Sequence, residues 1–113
     1  MSLRQRSEAL HAFNATPTAS SPATVVAAVP GMIIKVYRFI ITMTGVGPAT
    51  VQFTGSVSGA LSQQFQVGAE GQLNCADGNA NMDPMFWTAA GEALQLTFAS
   101  GNASYDVWYL QSS

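Results

Sequence analysis

The sequence predicts an all-β protein, an antiparallel β-sandwich of about eight strands with an extended N-terminal arm. Three observations lead there. Segments rich in β-branched and aromatic residues recur at roughly ten-residue spacing from Ala23 onward. Gly, Pro and Asn clusters separate them, and no helical period emerges in the body of the chain. The most prominent segment is Met32–Met43, which carries no Gly or Pro and is bracketed by Pro30-Gly31 and Gly45. It reads as one long strand of roughly 40 Å.

Read in order, the chain divides into an arm and linker, 1–22, and a sandwich domain, 23–113. In the arm, Leu3, Leu10 and Phe13 fit one side of a short helix through Arg6, Glu8 and His11. The following Asn14 to Pro22 is small, polar and Pro-punctuated, which predicts an extended linker. Thr24–Ala28 is a short strand ended by Val29-Pro30-Gly31. In the long strand, strict alternation puts Ile34, Val36, Arg38, Ile40 and Thr42 on one face. It puts Ile33, Lys35, Tyr37, Phe39, Ile41 and Met43 on the other. Both faces are apolar, so part of the second is expected under a neighbouring subunit.

Thr50–Thr54 directs Val51 and Phe53 inward, and Ala60–Val67 favours Leu61, Phe65 and Val67 for the core. Gln72–Cys75 and Met85–Thr88 are short strands on either side of a loop from Asp77 to Pro84. Ala93–Ala99 alternates cleanly, with Leu94, Leu96 and Phe98 in and Gln95 and Thr97 out. Ser104–Gln111 places Tyr105, Val107 and Tyr109 on one face and Asp106, Trp108 and Leu110 on the other. Two strands with surplus apolar side chains predict an interface between copies through Tyr37, Trp108 and Leu110, the trimer interface of the assembly that a resemblance given below implies.

Composition narrows the function. The 113 residues are one domain's worth, 48% hydrophobic and only 9% charged, against about 25% charged in an average domain. So low a charge suits a protein built into an assembly. Four Lys and Arg against six Asp and Glu give no basic footprint for nucleic acid and no polybasic membrane patch. The polar start lacks the apolar core of a secretory signal, and Cys75 is the single cysteine, so a reducing cytoplasm is the expected place of synthesis. Cys75 is expected as a buried thiol.

Catalytic chemistry finds little support. His11, the one histidine, lies in the arm with no cysteine or second histidine near it, so neither a zinc site nor a Ser-His-Asp triad is expected. The carboxylates Glu70, Asp77, Asp83, Glu92 and Asp106 are scattered, mostly at turns, and Glu92 after Gly91 is expected to satisfy turn amides. Asp77, Asn79, Asn81 and Asp83 place oxygens at alternate residues as calcium loops do. That pattern has Met82 where the loop needs glycine and Thr88 where it needs a bidentate glutamate, so Asx-turns are the plainer reading. No cofactor and no enzymatic activity are expected.

Thr24-Val-Val-Ala-Ala-Val-Pro-Gly-Met-Ile-Ile-Lys-Val-Tyr-Arg-Phe39 resembles the opening of a family of small β proteins encoded by tailed bacteriophages and prophages. Trp87-Thr-Ala-Ala-Gly-Glu-Ala-Leu-Gln-Leu96 resembles their Gly-Glu-Ala-Leu turn and strand, and Tyr105-Asp-Val-Trp-Tyr109 their closing strand. The resemblance covers most of the chain after Ala23. It implies a jelly-roll virion protein, often trimeric, that decorates or cements a capsid or forms a fibre. The expected partners are then two further copies and the major capsid protein, on the virion surface. In that setting Leu3, Leu10 and Phe13 of the arm become expected capsid contacts. The alternative is a receptor- or carbohydrate-binding module of a tail fibre, with Trp87 and tyrosines stacking on sugars. A further alternative is a calcium-dependent binding module.

Overall fold

The structure is a computed structural model that describes residues 10–45, 49–68, 71–76 and 84–113. Ten strands occur among them: β1 (Leu10–Phe13), β2 (Ala23–Val26), β3 (Ile33–Thr44), β4 (Ala49–Gly55), β5 (Gly59–Ala60), β6 (Phe65–Val67), β7 (Gln72–Ala76), β8 (Phe86–Trp87), β9 (Leu94–Ala99) and β10 (Asn102–Ser112). They form two antiparallel sheets packed face to face, a β-sandwich as expected. The front sheet has the order β1-β10-β3-β7, with β8 also pairing β3. The back sheet has the order β2-β9-β4-β5, with β6 also pairing β4.

Ten strands replace the expected eight for two local reasons. The segment Ala60–Val67 is split because Ser62 breaks the ladder: the Phe53 N–H donates to Ser62 Oγ, and both Leu61 and Ser62 N–H donate to the Phe53 carbonyl. A side chain has replaced a backbone partner, and pairing resumes only at Phe65. The second reason is β1. Leu10–Phe13, expected as the end of a short helix, is instead an edge strand on β10. Ladder bonds to a long neighbour outweigh the marginal stability of an isolated helix this short.

The segment after β1 is held too. Asn14 donates to the Ala103 carbonyl (2.9 Å) and accepts from the Tyr105 amide (2.7 Å). Thr18 and Ala103 exchange a pair of backbone bonds, and Ser21 Oγ accepts from the Phe98 amide.

The faces of β3 depart from strict alternation. Ile34 and Val36 are buried, and then Phe39, Ile41 and Met43. The inward parity changes between Val36 and Phe39. The pairing explains it, because Trp108 stands opposite Arg38 while Tyr109 stands opposite Val36, which leaves Tyr37 as an extra residue. This β-bulge lets both apolar sets of one strand reach the same core. The double-sided greasiness of Met32–Met43 therefore largely reflects a phase change within one chain. A smaller shift in the β2–β9 pairing accompanies burial of the adjacent Val25 and Val26.

Elsewhere alternation holds. Val51 and Phe53 of β4 and Leu94, Leu96 and Phe98 of β9 are buried, and Tyr105 and Val107 of β10 join them. Leu61 and Phe65 pack half-buried against the core, and Val67 lies within it. At its centre Phe39 meets Phe53 edge-on at 4.8 Å between ring centroids, and Phe86 lies 5.0 Å from Phe53. The Tyr105 hydroxyl donates to the Thr24 carbonyl across the sandwich, and burial pushes its pKa up.

Replacing Leu96, which is 0% exposed, with Ala is expected to cost about 2–5 kcal/mol in denaturant unfolding. Thr97→Ala, on the opposite face of the same strand, is expected to cost less than about 1 kcal/mol. The reverse ranking would place β9 one residue out of register.

Candidate functional site: the outer front face and the loop end

Alternation that buries Tyr105 and Val107 turns Asp106 and Trp108 of β10 to the outer side of the front sheet, with Arg38 of β3 and His11 and Phe13 of β1. These side chains form a continuous stack across three strands. The His11 ring lies 5.3 Å from Phe13 and 4.5 Å from Trp108, tilted only 8° from the indole. The Arg38 guanidinium sits 4.6 Å from the Trp108 ring centroid. His11 Nε2 is 2.9 Å from Asp106 Oδ1, the imidazole donating to the carboxylate. Such cation–π and stacked pairs at exposed sites contribute about 0.5–1 kcal/mol each, enough to fix how β1 lies.

A second row, Leu110–Lys35–Trp87, crosses β10, β3 and β8 in register. Trp87 is 57% exposed. It borders a depression of about 250 Å³ whose other walls are Leu61, Met85 and Phe86. The outer back face contrasts with this one: Thr24, Thr50, Gln52, Thr54, Gln95 and Thr97 give it an uncharged Thr/Gln surface.

One end of the sandwich is organised by Glu92. Its carboxylate is 1% exposed and accepts four hydrogen bonds: from the amides of Val57 (2.8 Å), Ser58 (2.8 Å) and Ala89 (2.6 Å), and from the Ser58 hydroxyl (2.7 Å). Burial alone would raise its pKa. The Ser58 and Ala89 amides, the Ser58 hydroxyl and the Val57 amide outweigh burial and hold it at about 2, against an ordinary 4.5.

The sequence around it fits this role. Gly55 leaves room for the carboxylate, since a Cβ there would overlap the Glu92 carboxylate that these four bonds hold in place. Gly91, at φ +80°, takes a turn conformation that L side chains rarely adopt, and its amide donates to the Met32 carbonyl. Thr88, also buried, exchanges bonds with Ile34: its amide donates to the Ile34 carbonyl and its Oγ1 accepts from the Ile34 amide. The β2–β3, β4–β5 and β8–β9 connections are thereby tied together.

The residues singled out from sequence are distributed as follows. Leu10 and Phe13 are exposed on β1, while Tyr37, Trp108 and Leu110 are half-buried in the front sheet. Tyr37 occupies the bulge, and Trp108 is covered by His11 and Arg38. Cys75 lies in β7 opposite Phe39. Leu3, and the oxygen-bearing Asp77, Asn79, Asn81 and Asp83, lie outside the described residues. Among the described residues no group of three or more His, Cys, Asp or Glu is placed to hold a metal ion. The turn role expected for Glu92 is observed. The pairing of His11 with Trp108 and the presentation of Val57 were not signalled by the sequence. No family model, curated protein or solved structure matches this chain.

The displaced Glu92 pKa corresponds to about 3 kcal/mol of folding stability. Because the folded value is lowered, that stability is complete above about pH 4.5 and drains as pH falls toward about 2. Glu92→Gln leaves one acceptor and sets an NH2 against amide donors. It is expected to lose about 3 kcal/mol at neutral pH and to flatten the acid limb of a stability–pH profile measured by urea unfolding.

Proposed function

We propose that this chain is a structural subunit of a tailed-bacteriophage virion: a jelly-roll homotrimer that binds the major capsid protein and decorates or cements the head shell. The observation that carries the reading is the root of the arm. β1 is fixed by its ladder to β10 and by the His11 stack, yet Leu10 is 48% and Phe13 61% exposed. A strand held in place while leaving apolar side chains exposed, Phe13 on its outer face and Leu10 on the other, suits a docking element, since little ordering entropy is left to lose on contact.

The pairing order supports the jelly-roll part of the reading. The first strand lies beside the last in one sheet, and the second beside the second-to-last in the other. The sparse charge supports assembly. All four Lys, Arg, Asp and Glu residues among the described residues lie on the outer front face or, as Glu92, inside. Tyr37, Trp108, Leu110 and the neighbouring Ile40 are the half-buried residues of that face proposed for contact between copies.

The mechanism is additive burial. Each subunit bridges neighbouring shell subunits through Leu10 and Phe13, and through Leu3 further along the arm. A protein that binds only the assembled shell stabilises it by mass action. Three linked arms act at high effective concentration. The subunit is made in the host bacterial cytoplasm and works on the capsid surface, with no catalysis, cofactor, nucleic acid or membrane in its task.

Exposed Trp87 beside its depression favours one alternative, a receptor- or carbohydrate-binding module of a tail fibre. Copy number separates the two, hundreds per virion for a head protein and a few for a fibre.

Light scattering after size exclusion is expected to give a trimer mass, and a monomer persisting at high concentration overturns that part. A Leu10→Ser, Phe13→Ser double variant is expected to fold normally and to co-sediment with undecorated shells at least tenfold more weakly. Equal binding would move attachment from the arm to the loops of the sandwich.

A further inference from the structure

The tip of the β4–β5 turn is Ser56-Val57-Ser58, and Val57 is 84% exposed. An exposed valine on a mobile loop would mean little. This one is held: its own amide and that of Ser58 both donate to the buried Glu92 carboxylate, and Ser56 exchanges bonds with Ala93 through its amide and hydroxyl. The side chain is a preorganised apolar knob. No ionisable side chain belongs to the tip, and the nearest carboxylate, Glu92, is satisfied inside the protein.

The same chain carries a matching hollow. The depression of about 250 Å³ bounded by Leu61, Met85, Phe86 and Trp87 has no charged wall and is wide enough for an aliphatic side chain. Val57 does not occupy the hollow of its own copy, because it is 84% exposed while Trp87 and Met85 also remain open to solvent.

We propose that copies of this chain associate head to tail, with Val57 of one copy seated in the Trp87 hollow of the next. Three arguments favour a second copy as the occupant. Knob and hollow are both lined by uncharged side chains, so seating one in the other sets apolar surface against apolar surface. They are different surfaces of one chain, which makes the contact heterologous, and a heterologous contact closes into a ring when its rotation permits. The hollow is also continuous with the face proposed above for contact between copies, since Trp87 is the end of the Leu110–Lys35–Trp87 row. The inference rests on the homotrimer reading and supplies its contact.

The test uses complementary variants of the full chain. Val57→Asp removes the knob and keeps the hollow, and Trp87→Ser removes the hollow and keeps the knob. Both side chains are exposed, and circular-dichroism melts are expected to match the parent. Val57→Ser serves as the milder knob variant if Asp perturbs folding. In sedimentation velocity, the concentration midpoint of assembly is expected to rise at least tenfold for either variant alone. Mixed in equal amounts, they are expected to form a dimer of one of each, because one intact knob meets one intact hollow. A parent trimer whose variants assemble unchanged overturns this contact and leaves the trimer standing. Variants that dissociate but give no mixed dimer also overturn it. A parent that stays monomeric at high concentration overturns both.

Discussion

The pairing of β3 with β10 is the constraint on which the rest of the molecule depends. It runs from Asn102 opposite Thr44 to Ser112 opposite Ile33, along nearly the whole of both strands. Its one irregularity, between Trp108 and Tyr109, decides which residues are core and which are surface. Without it, Ile34 and Val36 could not share an inner face with Phe39, Ile41 and Met43. The same shift sets Arg38 opposite Trp108, where the guanidinium covers the indole. One displaced residue thus organises the aromatic core inside and the aromatic stack outside.

A second kind of order comes from charge. The buried Glu92 carboxylate gathers amides from two connections, and Gly55 leaves room for it. Buried ions are often no more stabilising than apolar replacements of the same shape. What this one supplies is geometry: two connections held together at one end of the sandwich, with an apolar side chain presented at the tip. Stiffness at that end and exposure of Val57 have one cause.

The sequence carried much of this and missed the rest for physical reasons. Leu94, Leu96 and Phe98 were legible because strict alternation over six residues leaves only one face for the core. Glu92 was legible because a carboxylate after a turn glycine has few partners other than turn amides. The bulge at Tyr37 was not legible, since Met32–Met43 offers apolar residues in both parities and only the partner strand chooses between them. Leu10–Phe13 is too short for a period of two to be told from one of 3.6. Val57 left no mark at all, because a lone exposed valine becomes meaningful only when its backbone is seen to be held.

The order of pairing also bears on how the chain reaches this state. β1 has its ladder partner in β10, β2 has its own in β9, and β3 pairs on one side with β10. The early strands therefore emerge from synthesis without their neighbours. Until Asn102–Ser112 is available, the long apolar β3 lacks its principal partner and presents an open edge. Topologies dominated by such distant contacts fold slowly and leave sticky intermediates exposed in the meantime. For this chain, crowding of nascent copies before Asn102–Ser112 is available is the hazard that its architecture creates.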